Sequence, residues 1–357
     1  MISLAALGND LYSGKTSLPF IAKRRIWYTI AIVVIALSAV LVVKPGLNPG
    51  IDFKGGSEVT VTGVADPSEG PGNDVLADKD LSSGSSVTTM GASSVRIQTN
   101  ELDKAQLDEL ASSLATAYDV DSGSVSATTI GPTWSADVTS KAARGLVIFF
   151  LLVGALIWIY FRTWKMAAAA LLALSHDIIV TIGIYAASGF EVTPATIIGV
   201  LTILGYSLYD TVVVFDKIRE NTSHYEAQTR STYAELANLA VNQTFIRSIN
   251  SLLVVGAFIL GAGTLRDIAL TLFIGMIAGT LSSIFLATPL LVDLRSREKS
   301  IVEQAKRVEA ARAQRVTQAG DDDEALAAIV AAPAASPLVP GHHLGVSAQP
   351  KRKNRRS

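Results

Sequence analysis

Six apolar runs, each near the roughly 20 helical residues that cross a hydrocarbon core, dominate the hydropathy pattern, at 26–43, 145–161, 166–188, 195–215, 245–262 and 268–292. Each is predicted to be a transmembrane helix. Between the first two runs the period changes to two: "SEVTVTGV" (57–64), "SSVRIQT" (93–99) and "SVSATTI" (124–130) alternate apolar and polar positions as strands do. Before the third of these, Leu102, Leu107, Leu110, Leu114 and Ala117 fall near one helical face, with Asp103, Lys104 and Asp108 elsewhere. Residues 44–144 therefore read as an α+β domain with one helical layer on a small antiparallel sheet. Within it, residues 66–86, "DPSEGPGNDVLADKDLSSGSS", are rich in Gly, Ser, Asp and Pro and are expected to be a mobile insertion.

Composition agrees with a membrane protein: 49% of the 357 residues are hydrophobic and 17% are charged. Cysteine is absent, which excludes disulfides, thiolate nucleophiles and cysteine-held metals. The net charge of -1 says little, but the placement of cations orients the helices. Lys23, Arg24 and Arg25 precede the first run, and Arg162 and Lys165 separate the second from the third. Lys217 and Arg219 follow the fourth, and Arg295, Arg297 and Lys299 follow the sixth. All lie on one side when the helices alternate, and the positive-inside rule makes that side the cytoplasm. The expectation is a cytoplasmic N-terminus at 1–25, an exported domain at 44–144, a cytoplasmic loop at 216–244 and a largely disordered cytoplasmic tail at 293–357. The tail ends "KRKNRRS", which reads either as a solvated segment or as an attraction for anionic lipid or ribosomal RNA. The first run ends in Lys44, Pro45 and Gly46 without a small-x-small pattern, so it reads as a span rather than a cleaved leader.

Polar residues inside the runs carry the candidate chemistry. In the fourth, Ser207, Asp210, Thr211 and Val214 share a face by helical spacing. In the fifth, Gln243, Arg247, Asn250, Ser251 and Val254 do the same, and the two stripes are expected to face each other. An isolated carboxylate at the bilayer centre costs about 2.5–3.5 kcal/mol on insertion scales, so Asp210 needs compensation or a use. Two readings stand: a static ion pair with Arg247, or a site that binds and releases protons as the helices move. His176 and Asp177, adjacent in the third run, point about 100° apart on a helix. They form either a second proton relay or a hydrogen-bonded helix contact. "GMIAG" (275–279) is a small-xxx-small pattern that lets helices approach closely. "GIDFKGG" (50–56) lacks the Lys/Ser pair and following helix of a phosphate loop, and reads as a turn joining the first span to the sheet. With no Ser-His-Asp, HExxH or P-loop spacing, neither enzyme activity nor a cofactor is expected, and no nucleic-acid-binding core is apparent.

"GIDFKGG", "HD" at 176–177, "GYSLYDTVVVFDKIREN" at 205–221 and "NQTFIRSIN" at 242–250, in this order, resemble the SecF family, the smaller membrane subunits of the SecDF protein-export complex. The resemblance spans about residues 20–295. It implies a six-helix bundle of the resistance-nodulation-division type with a ferredoxin-like extracytoplasmic domain, in the bacterial plasma membrane. It implies pairing with SecD beside the SecYEG channel, with YajC as a further partner and an emerging preprotein as the client. Proton-motive force would drive the exported domain in late export. Asp210 and Arg247 land on the family's proton-pathway residues. His176, Asp177, Ser207, Thr211 and Asn250 remain a secondary polar set. Tyr209 stands where the family usually has Asn, and Lys217 where it has Arg. A small-molecule or lipid transporter on the same scaffold, and a non-transporting assembly scaffold, are the alternatives.

Overall fold

The computed structural model describes residues 4–259 and 266–319. Helix α1 (Leu4–Ser13) precedes α2 (Arg24–Leu41), which continues to Gly46 as the first helix of membrane length. There follow β1 (Asn48–Pro49), α3 (Ile51–Lys54), β2 (Gly56–Thr62), α4 (Gly70–Asp78), β3 (Ser86–Met90), β4 (Ser94–Thr99), α5 (Lys104–Ala117) and β5 (Val125–Ile130). Strands β3-β4-β2-β5 form one antiparallel sheet in that order. Alternation places Val59 and Val61 of β2 and Val95 and Ile97 of β4 against Leu76 of α4 and Leu107, Leu110 and Leu114 of α5. Burying such side chains contributes about 1.5–3 kcal/mol each. Asp103 starts α5 with a reciprocal cap: its carboxylate accepts from the Gln106 amide at 2.8 Å, and the Gln106 side chain accepts from the Asp103 amide at 3.1 Å.

Residues 66–86 are not a mobile insertion, because α4 occupies their middle. Pro71 suits the first helical turn, where its missing N–H costs nothing. Gly72 permits close packing: a Cβ there would stand 2.9 Å from both Tyr118 Oη and Val87 Cγ1. Tyr118 Oη accepts from the Gly72 amide at 3.0 Å and donates to the Ser68 carbonyl at 2.8 Å. Glycine and proline that read as loop signals thus serve a helix start and a tight contact.

The remaining chain forms the bundle: α6 (Pro132–Phe161), α7 (Trp164–Ser188), β6 (Glu191–Val192), α8 (Pro194–Asn221), α9 (Tyr233–Ile259), α10 (Arg266–Ser282), α11 (Thr288–Arg295) and α12 (Lys299–Ala319). Helix α6 begins at Pro132 rather than near 145, so its polar first turns rise out of the domain before the apolar part begins. Five helices among the described residues are long and apolar enough to cross a membrane. The span expected at 245–262 falls on α9 and on residues 260–262, which lie outside the described residues. Helices α8 and α10 interlock in steps of four residues on each: Gly199 meets Thr271, Gly275 meets Ile203, and Gly279 meets Ser207. Both glycines of "GMIAG" therefore do what small residues do between membrane helices.

Both terminal segments pack on α9 and the loop before it. Residue Gly8 of α1 packs on Ile246 of α9, and Asn242 and Asn238 accept the amides of Leu18 (2.8 Å) and Ile21 (3.2 Å). Residues 299–319, expected in a largely disordered tail, form α12, which docks on the loop before α9 and on its start. Gln304 donates to the Ser231 carbonyl at 2.8 Å, and Arg312 pairs with Glu235 at 2.7 Å. The partner of α12 is the 216–244 loop, a contact across 73 residues of chain that no local pattern signals. The basic end "KRKNRRS" lies outside the described residues.

Candidate functional site

Asp210 sits in the fourth predicted span, on α8, with 5% of its surface exposed. Its helix is well specified locally: Thr193 caps the N-terminus with Thr196, and Pro194 occupies the first turn. One carboxylate oxygen accepts from Ser248 Oγ of α9 at 2.8 Å, and the other from Ser283 Oγ at 2.6 Å. Hydrogen bonds to charged groups contribute about 1.5–3 kcal/mol each, which offsets much of the burial cost. Ser283 reaches the site through a wide helical turn, Ser283–Ala287, between α10 and α11. Pro289 explains the turn, because it has no N–H for the carbonyl four residues earlier and its ring crowds that turn. Thr288 Oγ1 donates to the Ser283 carbonyl at 3.1 Å and holds the widened turn closed.

The residue of α9 whose side chain is seen to meet Asp210 is Ser248, one position beyond Arg247. Ala237, Ala240, Val241, Thr244 and Ser248 form the buried face of α9, whereas Gln243 is half-buried and Arg247 and Asn250 are exposed. Arg247 instead lies over the ring of Tyr209, 5.2 Å from its centroid, and Tyr209 itself is exposed. Ser248, the neighbour of Arg247 on α9, is the residue turned inward to Asp210. Ser251 and Val254, at the end of the predicted polar stripe, have side chains outside the described set.

A second buried carboxylate lies within reach of the same helix. Asp177 of α7 has no exposed side-chain surface; Ser207 Oγ donates to it at 2.6 Å, and His176 Nδ1 is 3.2 Å away. Ser207 and Asp210 are one helical turn apart on α8. The adjacent pair divides as its 100° offset requires: Asp177 faces the bundle, and His176 lines an apolar cavity between α2, α7 and α10. Thr211 is buried beside Asp210, and among the described residues its hydroxyl has no hydrogen-bond partner. The structure therefore brings together Asp210, Ser207, Asp177 and His176 along two turns of α8, and leaves Arg247 and Asn250 on an open face. Sequence reasoning missed Ser248 and Ser283. Ser248 was hidden beside a more conspicuous arginine; Ser283 is placed by the proline-induced turn, which has no simple periodic signal.

Comparison with known proteins identifies the relationship. Residues 110–297 match the family model "Protein export membrane protein SecD/SecF, C-terminal", and residues 40–63 match the SecD/SecF GG motif. The chain is 43% identical over 333 residues to the protein translocase subunit SecF of Streptomyces coelicolor, covering 88% of this chain and 86% of the relative. It is 33% identical over 297 residues to SecF of Rhodothermus marinus, covering 78% and 94%. Among solved structures, the crystal structure of SecDF from Thermus thermophilus superposes with a TM-score of 0.69 at 29% identity, covering 80% of this chain and 39% of that one. The chain belongs to the SecD/SecF family of protein-export membrane proteins.

Proposed function

We propose that the chain is the proton-coupled SecF-type subunit of a bacterial export complex, working with SecD beside SecYEG, and with YajC, on an emerging preprotein. One observation carries the reading: the buried Asp210 carboxylate is held between the hydroxyls of Ser248 and Ser283. A hydroxyl can donate to a carboxylate or turn and accept from a carboxylic acid. Asp210 can therefore gain or lose a proton without losing its neighbours. In a low-dielectric bundle that change of one charge alters helix packing, and the membrane potential supplies about 2.3 kcal/mol per charge for each 100 mV. Arg247, next to Ser248, stands beside the proton route on the open face of α9, which is the face we assign to SecD.

The same reading fixes the rest of the architecture. Helix α9 supplies the fifth of six spans in a resistance-nodulation-division bundle. The β-α-β-β-α-β order of the domain is the ferredoxin-like order. Ties among the basic helix ends support one cytoplasmic side in the plasma membrane: Arg24 pairs with Asp293 at 2.9 Å and Lys165 with Glu298 at 3.0 Å, while Lys217 lies over Tyr12. Both termini are then cytoplasmic, and the α+β domain is exported. The test is Asp210→Asn and Arg247→Met in the complex, read as preprotein export in cells. Export should fall sharply with the complex still assembled. Wild-type export in both variants refutes the coupling role, and failure of the complex to assemble favours a purely structural role for both residues.

A further inference from the structure

The α+β domain is tied to the loop that starts α8, the helix carrying Asp210. Strand β1 pairs in parallel with β6, Asn48 beside Glu191 and Pro49 beside Val192. The Gly50 amide donates to the Val192 carbonyl at 2.9 Å. From the sheet, Arg96 Nη1 reaches one oxygen of Glu191 at 2.7 Å and Gln98 Nε2 the other at 2.6 Å, so both oxygens are engaged. Gln98 also donates to Glu58 at 3.0 Å, and Arg96 Nε lies 3.5 Å from Glu58. The glycines of "GIDFKGG" make this approach possible: a Cβ on Gly50 would stand 2.6 Å from Glu191 Oε1, and Gly56, at φ +137°, would put one 2.5 Å from the Thr99 carbonyl. Thr193, two positions beyond Glu191, is the N-cap of α8.

We infer that Arg96, Gln98 and Glu191 are positioning residues that form a rigid strut, through which α8 and the α+β domain move as one body. Displacement of α8 on protonation of Asp210 is thereby delivered to the domain that meets the client. The inference rests on the proton-coupled reading and adds the route of force. Stability alone does not account for the cluster: Glu58 and Glu191 share the single guanidinium of Arg96, and the Asp52 carboxyl is raised from its ordinary value by burial and by the charges of Glu58 and Glu191. In the rigid-strut account a covalent bond can replace the polar one.

The chain has no cysteine, so Pro49→Cys with Val192→Cys, at register partners, gives this chain a single bridgeable pair, tested within the full complex. Arg96→Gln with Glu191→Gln should lower proton-driven export at least fivefold, and forming the disulfide in that background should restore it. In the otherwise unchanged chain, the disulfide should leave export the same with and without reductant. Full export by the Arg96/Glu191 variant, or arrest when the disulfide forms in the unchanged chain, overturns the strut. Asp210→Asn run alongside separates the two ideas. Full export there defeats the proton reading and the strut with it, whereas loss there beside full export in the Arg96/Glu191 variant defeats the strut alone.

Discussion

Gly279→Ala probes the contact that holds the two carboxylate clusters in register. The new methyl would stand 2.6 Å from Ser207 Cβ, 2.8 Å from its Oγ and 3.3 Å from its Cα. Sliding the helices apart is opposed by the next rung, where Gly275 meets Ile203, so the overlap is relieved mainly at Ser207. Overpacking of this kind costs about 1–3 kcal/mol. If Ser207 turns away, its 2.6 Å bond to Asp177 is also lost, which adds about 1.5–3 kcal/mol. The expected destabilisation is therefore about 2.5–6 kcal/mol when both occur. The two terms separate in Gly279→Ala with Ser207→Gly, which removes the overlap but not the hydrogen-bond loss. The assay is reversible unfolding in mixed detergent micelles. A Gly279→Ala protein within about 0.5 kcal/mol of wild type refutes the packing argument, and a double variant less stable than Gly279→Ala refutes the partition.

Three further outcomes concern the parts of the fold outside the spans. Arg312→Ala should free α12 from the start of α9 at a cost of about 1 kcal/mol, since the pair is partly exposed and screened, and should raise amide exchange in α12. Burial pushes the Glu235 carboxyl up, but Arg312 and the Thr232 amide outweigh it and hold it below its ordinary value. Its contribution is therefore present above the unfolded value of about 4.3 and lost as pH falls through the lower folded value, so α12 should loosen in acid; equal protection across that range contradicts this. Asp52 has the opposite sign: raised by burial and by Glu58 and Glu191, it favours the folded domain at low pH and loses that contribution as pH rises through its folded value. Asp52→Asn should stabilise the domain at neutral pH, with the gain fading in acid; a neutral-pH loss on denaturant unfolding sinks the assignment.

Much of this molecule is legible in its sequence because its strongest signals are periodic. The apolar runs predict α2, α6, α7, α8 and α10, and the period-two segments predict β2, β4 and β5, because membrane thickness and sheet pleat impose those lengths and repeats. What periodicity hides is contact across elements. The α4 segment fails as a sequence reading because Gly72 is a packing site rather than a turn. Facing of Asp210 and Arg247 was inferred from shared stripes, but stripe membership does not fix rotation about the helix axis, and a rotation of one residue exchanges Arg247 for Ser248. Ser283 depends on a widened turn ahead of Pro289, and the docking of α12 on loop atoms near Ser231 depends on partners distant in sequence.

The central claim is that Asp210 itself takes up the proton. Infrared difference spectroscopy of the assembled complex in oriented membranes, stepping pH, reads the C=O stretch of a protonated carboxyl directly. The account predicts a carboxyl band that appears on acidification, shifts in Ser248→Ala and Ser283→Ala, and is absent in Asp210→Asn. The same band at full strength in Asp210→Asn contradicts it.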